Sequence, residues 1–252
     1  MVHRCLASRL KEAAASFTVV TLTGPRQSGK TTLCRAEFPD KVYANLEAPD
    51  TRAFALDDPR GFLAQFPDGA VLDEIQRAPE LLSYLQVLVD ENPLPGRWIL
   101  TGSQHLAMMD SVNQSLAGRT AVLRLLPMSF DEMTEFANAP QTLNEVLFTG
   151  GYPRILDQNI PASDWLASYV STYIERDVRQ LSKVGDLNTF QKFVALCAGR
   201  TGQLLNYSNL AADCGITQPT AKKWLSILEA SYLVFLQPNW SGNHRKRLVK
   251  MP

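Results

Sequence analysis

The stretch Phe17-Thr18-Val19-Val20-Thr21-Leu22-Thr23 runs without a break into Gly24-Pro25-Arg26-Gln27-Ser28-Gly29-Lys30-Thr31-Thr32. The first seven residues, apolar and β-branched, read as a strand buried on both faces. The next eight fit G-x-x-x-x-G-K-[ST], the pattern of a phosphate-binding loop that leaves a strand and opens a helix. The residue types follow from the chemistry. Glycines let backbone N–H groups close around phosphate oxygens, and the helix N-terminus adds positive potential. Lys30 reaches the β and γ phosphates of a nucleotide, and the Thr31 hydroxyl ligates Mg2+. Gly24 through Thr32 is therefore the expected nucleotide-binding segment.

Working outward, short β-rich runs alternate with helical patterns through the first half of the chain. Candidate strands are Phe17–Thr23, Val42–Glu47, Ala70–Asp73, Trp98–Gly102 and Ala121–Leu126; candidate helices are Lys30–Phe38 and Glu80–Glu91. In the second helix Leu81, Leu82, Leu85, Leu88 and Val89 fall on one face. This rhythm predicts an α/β fold, a parallel sheet covered by helices on both faces, of the P-loop NTPase kind. In Gly69-Ala70-Val71-Leu72-Asp73-Glu74 an apolar strand ends in two acids that divide the labour. Asp73 is expected to hold Mg2+ through an outer-shell water or from the Thr31 side, and Glu74 to polarise an attacking water. Trp98-Ile99-Leu100-Thr101-Gly102-Ser103-Gln104 ends a third strand in polar residues, where a parallel sheet binds its ligands. Ser103 is the candidate sensor of the γ-phosphate or of the water, with Thr101 and Gln104 as competitors. Arg119 closes Ser115-Leu116-Ala117-Gly118-Arg119, just before the last strand. It reads either as a finger toward a neighbouring subunit's γ-phosphate or as an ordinary surface charge. Arg124, Arg154 and Arg176 are alternatives for a finger or a lid sensor.

After Pro127 the pattern turns helical: Ser129–Ala137, Thr142–Gly150, Asp164–Leu181 and Leu187–Arg200. Then come a helix at Tyr207–Asp213, a Cys-Gly turn, a helix at Pro219–Ser231 and a β-type run at Tyr232–Gln237, the order of a winged helix. The expected organisation is a core over 1–128, a helical lid over 129–199 and a winged-helix segment over 200–252. Leu248–Pro252 starts what reads as a returning strand and stops, which points to a truncated chain.

The 252 residues carry 25 basic and 25 acidic side chains, so net charge argues for no wholesale nucleic-acid or membrane binder. The distribution is uneven. From Arg200 onward seven basic residues face two acids, +5 for that segment and −5 for the rest. Thr220, Lys222 and Lys223 on the second helix and Arg245, Lys246 and Arg247 in the wing are candidate duplex-DNA contacts. Docking of a protein partner is the competing use of the same segment. Cys5, Cys34, Cys197 and Cys214 stand far apart, with three histidines among them, and form no metal-ligand spacing. No apolar run reaches the length of a membrane span and no signal-peptide pattern opens the chain; a cytoplasmic protein with reduced thiols is expected.

Gly24–Thr32, Leu72-Asp73-Glu74-Ile75-Gln76, Leu100–Ser103, Ala117-Gly118-Arg119, Gly150-Gly151-Tyr152-Pro153 and Tyr173-Ile174-Glu175-Arg176-Asp177 occur in that order. The ordered set resembles the prokaryotic AAA-superfamily ATPases that carry a C-terminal domain of unknown function, often described as nuclease-like. The resemblance runs from about Arg9 to Pro252. It implies an ATPase core, a lid and a winged helix. It also implies Walker-type roles for Lys30, Thr31, Asp73 and Glu74, a sensor role for Ser103 and a finger role for Arg119. The chain stops about where the last domain of that family begins, so no nuclease activity carries over. The resulting expectation is an Mg2+-dependent ATPase, acting as a homo-oligomer, that converts hydrolysis into movement between core, lid and winged helix. The rival is a nucleotide-gated DNA-binding regulator with little turnover, and a third reading is an inactive remnant. The motifs do not read the base, so ATP over GTP rests on Glu74 and on the resemblance.

Overall fold

Five short parallel strands organise the N-terminal part of a computed structural model that describes residues 2–103, 115–174 and 187–238. The chain opens with α1 (Leu6–Ser16), whose Ala7, Leu10 and Ala14 face inward at i, i+3 and i+7. It continues through β1 (Val19–Thr23), α2 (Lys30–Glu37), β2 (Val42–Asn45), α3 (Pro49–Asp57), α4 (Pro59–Ala64), β3 (Ala70–Asp73), α5 (Leu81–Glu91), β4 (Trp98–Gly102) and β5 (Thr120–Arg124). The sheet order is β2-β3-β4-β1-β5, and all four pairings are parallel.

That order explains the burial. β1, β3 and β4 are interior strands, covered on both faces, and every residue in them is buried. β2 and β5 are the edges. Each leaves part of its surface to solvent, Val42 at 55% and Val122 at 43% exposure, because an edge strand has a neighbour on one side only. One core cluster forms around Trp98, Phe62, Phe66 and the Leu81, Leu82, Leu85 and Val89 face of α5. The other packs Val20, Leu22, Val71 and Ile99 against α1 and α2.

Beyond the sheet come α6 (Phe130–Met133), α7 (Leu143–Thr149), α8 (Pro153–Asp157), α9 (Ala162–Tyr169), a π turn (Val170–Ile174), α10 (Leu187–Gly199), α11 (Tyr207–Cys214) and α12 (Gln218–Ala230). Ser129 and Thr142 start α6 and α7 with capping boxes that use Glu132 and Glu145. The compact units are Met1–Ser163 and Asp164–Pro252, so α6, α7 and α8 stand in the first unit. In the second, Phe190 and Phe193 of α10 meet the Trp224 ring edge-on at 5.2 and 5.4 Å. Asn206 and Thr217 cap α11 and α12, and Gly215 provides the left-handed turn between them. Tyr232–Gln237, expected as a strand, forms no ladder among the described residues. Tyr232 turns into left-handed backbone at φ +60°, and an extended segment counts as sheet only when a partner takes its N–H and C=O groups. The wing itself, with Arg245, Lys246 and Arg247, lies outside the described residues, as does 175–181, the last part of the stretch Asp164–Leu181 that was read as a helix.

Where the phosphate-binding loop leaves β1, the backbone allows no side chain. Gly24 has φ +148°, and a Cβ there would lie 2.1 Å from the Leu125 carbonyl oxygen just beyond β5. Leu125 N–H donates to the Thr23 carbonyl at 2.8 Å, so the two segments cannot part without breaking that bond. Gly24→Ala should therefore destabilise the fold by about 2–4 kcal/mol, read as a lower urea midpoint in equilibrium unfolding; an unchanged midpoint would show that the strands yield freely.

Candidate nucleotide-binding site

Because β4 lies between β1 and β3, the carboxyl end of β4 falls between the loop and the acids. Asp73, at the end of β3, is buried and accepts three side-chain hydroxyls. Thr31 Oγ1 donates to Oδ2 at 2.7 Å, Tyr43 Oη donates to the same oxygen at 2.5 Å, and Thr101 Oγ1 donates to Oδ1. The Tyr43 hydroxyl is pushed well above its ordinary value by burial and by the bond to Asp73, so it stays a donor. Glu74 sits in left-handed backbone at φ +59°, a costly conformation for a residue with a Cβ and one that clusters at functional sites. Its Oε2 accepts from Ser103 Oγ at 3.2 Å and from Gln76 Nε2, and Gln76 Nε2 also lies 3.1 Å from Ser103 Oγ.

In the loop, Gly29 at φ +93° leads into the first turn of α2. Lys30 is buried and turns back on the loop, its Nζ donating to the carbonyls of Gly24 at 3.0 Å and Pro25 at 2.8 Å. Burial pulls its ammonium down to about 8, against the opposing pull of the Glu74 and Asp73 carboxylates. Ser28 Oγ is buried with no hydrogen-bond partner. A cavity of about 880 Å3 opens beside the loop. Gly29, Lys30, Thr31 and Thr32 line it together with Glu74, the N-terminal residues Val2 to Arg4, and Met128, Phe136, Pro153 and Arg154 from beyond the sheet.

The residues fit an Mg2+-nucleotide. Thr31 and Asp73 are joined at the cavity's edge, the Lys30 ammonium stands over the loop, and an orphaned hydroxyl lies in the loop wall. The structure thus brings together Gly24–Thr32, Asp73, Glu74, Ser103 and Thr101. It does not bring Arg119 to them. Arg119 precedes β5 at the end of the sheet away from the loop and forms a two-pronged ion pair with Asp90 of α5 at 2.5 and 2.9 Å. Of the alternatives, Arg154 reaches the cavity and bonds Gln158 Oε1 at 3.0 Å. Arg124 ends β5, and Arg176 and Gln104 lie outside the described residues. In the second unit Lys222, Lys223 and Ser226 are exposed on α12, with Thr220 half-buried and Lys222 Nζ 5.4 Å over the Tyr207 ring. Sequence reading missed Tyr43, Gln76, Arg4 and Glu132; Gln76 lay inside a quoted motif, Glu132 closes the Ser129-x-x-Glu capping pattern, and the other two carry no local signal.

The parallel sheet and the loop at the end of β1 together form the fold of the P-loop NTPases. Residues 16–134 match a family model described as an AAA domain, and residues 140–252 match a domain of unknown function, DUF8612. The chain is 31% identical over 253 aligned positions to uncharacterised proteins of Mycobacterium tuberculosis and Mycobacterium bovis; the match covers 99% of this chain and 56% of each of those proteins. The chain thus spans little more than half the length of these curated relatives. Among solved structures it resembles a Walker-type ATPase of Pyrococcus abyssi, with a TM-score of 0.62 and 17% identity over 94% of this chain and 91% of that one. The unknown-function match begins within the stretch expected as a lid and runs over the expected winged helix. The chain was expected to stop short of a nuclease-like C-terminal domain; the matches show neither that domain nor a truncation, and give the unknown-function domain over residues 140–252 instead. Among the described residues no helix is long and apolar enough to cross a membrane, and no group of three metal-ligating side chains occurs.

A bound phosphate favours the charged form of Lys30. Nucleotide affinity should therefore be level below about pH 7.5 and fall as pH rises through 8 and above, with proton uptake on binding near pH 8.5. Calorimetric titration in buffers of different ionisation enthalpy reads both, and an affinity level to pH 10 would contradict the arrangement.

Proposed function

We propose that the protein is an Mg2+-dependent ATPase in which hydrolysis drives a change of arrangement among core, lid and winged-helix segment. The observation that carries this reading is the 2.7 Å bond between Thr31 and Asp73. It joins the phosphate-binding loop to the acidic strand end and leaves Glu74, the next residue, at the cavity. Mg2+ would be held by Thr31 and Asp73, and it would supply positive charge to offset the charge that develops on the transferred phosphate. The chain's own part is positional. Lys30 exchanges its two loop carbonyls for phosphate oxygens. Thr31 offers its hydroxyl oxygen on the phosphate side while its O–H goes on donating to Asp73. Glu74 turns from Ser103 and Gln76 to a water and takes its proton in part. Ser103, freed by the same turn, is placed to report the γ-phosphate. Arg119, held away from its own loop, would act across a subunit boundary, completing the site of a neighbouring copy.

Lys30→Ala should abolish nucleotide binding. Glu74→Gln should bind ATP with affinity within a few-fold of the original and lose at least ~100-fold in turnover, the range general acid–base groups contribute; turnover at the original rate would remove Glu74 from its role. Turnover per chain should rise with protein concentration and lose that dependence in Arg119→Ala.

A second reading is a nucleotide-gated DNA-binding regulator with little turnover. It is favoured by the exposed Lys222, Lys223 and Ser226 on α12, the second helix of a helix-turn-helix pair. Under it, duplex affinity changes with ATP, and the logarithm of the affinity falls steeply with that of salt concentration. Lys222→Glu with Lys223→Glu should flatten that slope by about two phosphate contacts. Duplex binding with no salt slope would assign the segment to protein docking.

A further inference from the structure

Arg4 lies ahead of α1 and belongs to no motif, yet its side chain is more than nine-tenths buried against the phosphate-binding loop. Nη1 donates to the Ser28 carbonyl at 2.7 Å, Nη2 donates to the Leu126 carbonyl at 2.7 Å, and Nε stands 3.0 Å from Glu132 Oε2. Glu132 is itself fixed, accepting the backbone N–H groups of Cys5 at 2.7 Å and Ser129 at 3.0 Å. Burial alone would raise its carboxyl, but the two amides and Arg4 outweigh burial and hold it below the usual range. One guanidinium thus ties the N-terminal arm, the loop, the exit of β5 and the start of α6.

The contact with Ser28 has a stereochemical consequence. A trans peptide is planar, with its C=O and N–H on opposite edges. A guanidinium holding the Ser28 carbonyl therefore turns the Gly29 N–H away from itself. Gly29 has no Cβ to limit rotation of that peptide, and a Cβ placed there would lie 3.3 Å from Arg4 Nη1. Loop chemistry requires backbone N–H groups that face the phosphate and stay there. Something outside the loop has to fix this peptide, and Arg4 is in contact with it.

We propose that Arg4 is a positioning residue for the phosphate-binding loop. With Glu132 as counter-charge, it holds the Ser28–Gly29 peptide in the orientation that offers the Gly29 N–H to a nucleotide phosphate. The proposal rests on the nucleotide-binding reading above. A lysine does not replace the fork, because the single point charge of an ammonium lacks the guanidinium's two fixed N–H directions toward the Ser28 and Leu126 carbonyls.

Arg4→Lys keeps the charge opposite Glu132 and removes the fork. Two measurements on the full chain test it: amide hydrogen exchange without nucleotide, comparing 24–33 with β3 and β4, and ADP affinity by calorimetry. The expected result is exchange at 24–33 at least about tenfold faster, unchanged exchange in β3 and β4, and ADP binding weaker by at least about tenfold. Glu132→Gln, which keeps the cap of α6 and loses the counter-charge, should move both readouts the same way by less; it carries the test by itself if Arg4→Lys does not fold. ADP affinity within twofold of the original overturns the proposal, and so does faster exchange spread evenly over β3 and β4. An original protein that binds no ADP overturns the nucleotide reading instead, and the exchange pattern alone then decides whether Arg4 holds the loop.

Discussion

A buried carboxylate sets the terms for the first unit. Asp73 sits at the end of an interior strand, where an unpaired charge is costly, and three hydroxyls on three elements make the position tenable: Thr31 on α2, Tyr43 on β2 and Thr101 on β4. Each can arrive only if its element holds its place. β2 must pair with β3 in the register that sets Asn45 beside Asp73, and β4 must continue from Leu100, which lies beside Leu72. The loop must hand α2 its start at Lys30. The need to satisfy one side chain thus references the loop, an edge strand and the adjoining interior strand to a common point.

The rest of the site is arranged around this point under tension. Lys30 is drawn into low dielectric beside two acids, loses part of its hold on its proton, and satisfies its donors with the loop's own carbonyls. Glu74 accepts left-handed backbone and is steadied by Gln76 and Ser103. Against the loop Arg4 and Glu132 form a buried charge pair. A pair of this kind adds little stability over an apolar pair but is unforgiving of the loss of one member, which suits it to fixing geometry. Rigidity below the loop, with a cavity of about 880 Å3 beside it, is what a site made of backbone N–H groups requires.

The second unit is built on different physics. Its described part has no strand and no buried ion pair; aromatic rings do the packing, with Phe190 and Phe193 each meeting Trp224 edge-on and Trp165 stacked on Tyr169 at 5.0 Å. Caps at Asn206 and Thr217 and the glycine between them fix α11 against α12. The buried face of α12, with Ala221, Trp224, Leu225 and Leu228, leaves its lysines to solvent.

The amino-acid sequence by itself determined much of this. The glycine spacing and Lys30 marked the loop. The apolar runs placed all five strands to within a few residues, and the Leu81 to Val89 periodicity placed α5. Asp73, Glu74 and Ser103 were legible as polar ends of apolar runs. These features depend on neighbours one to four residues away, and a linear pattern records such neighbours directly. Strand order decided what the pattern could not: which strands are edges, that Thr101 rather than any neighbour reaches Asp73, and that Arg119 faces Asp90. Tyr43 finds Asp73 across 30 residues, and Arg4 finds Leu126 across 122. Such pairs exist only once crossover connections have brought distant segments side by side, and a lone tyrosine or arginine bears no local mark of the partner that the packed sheet will supply.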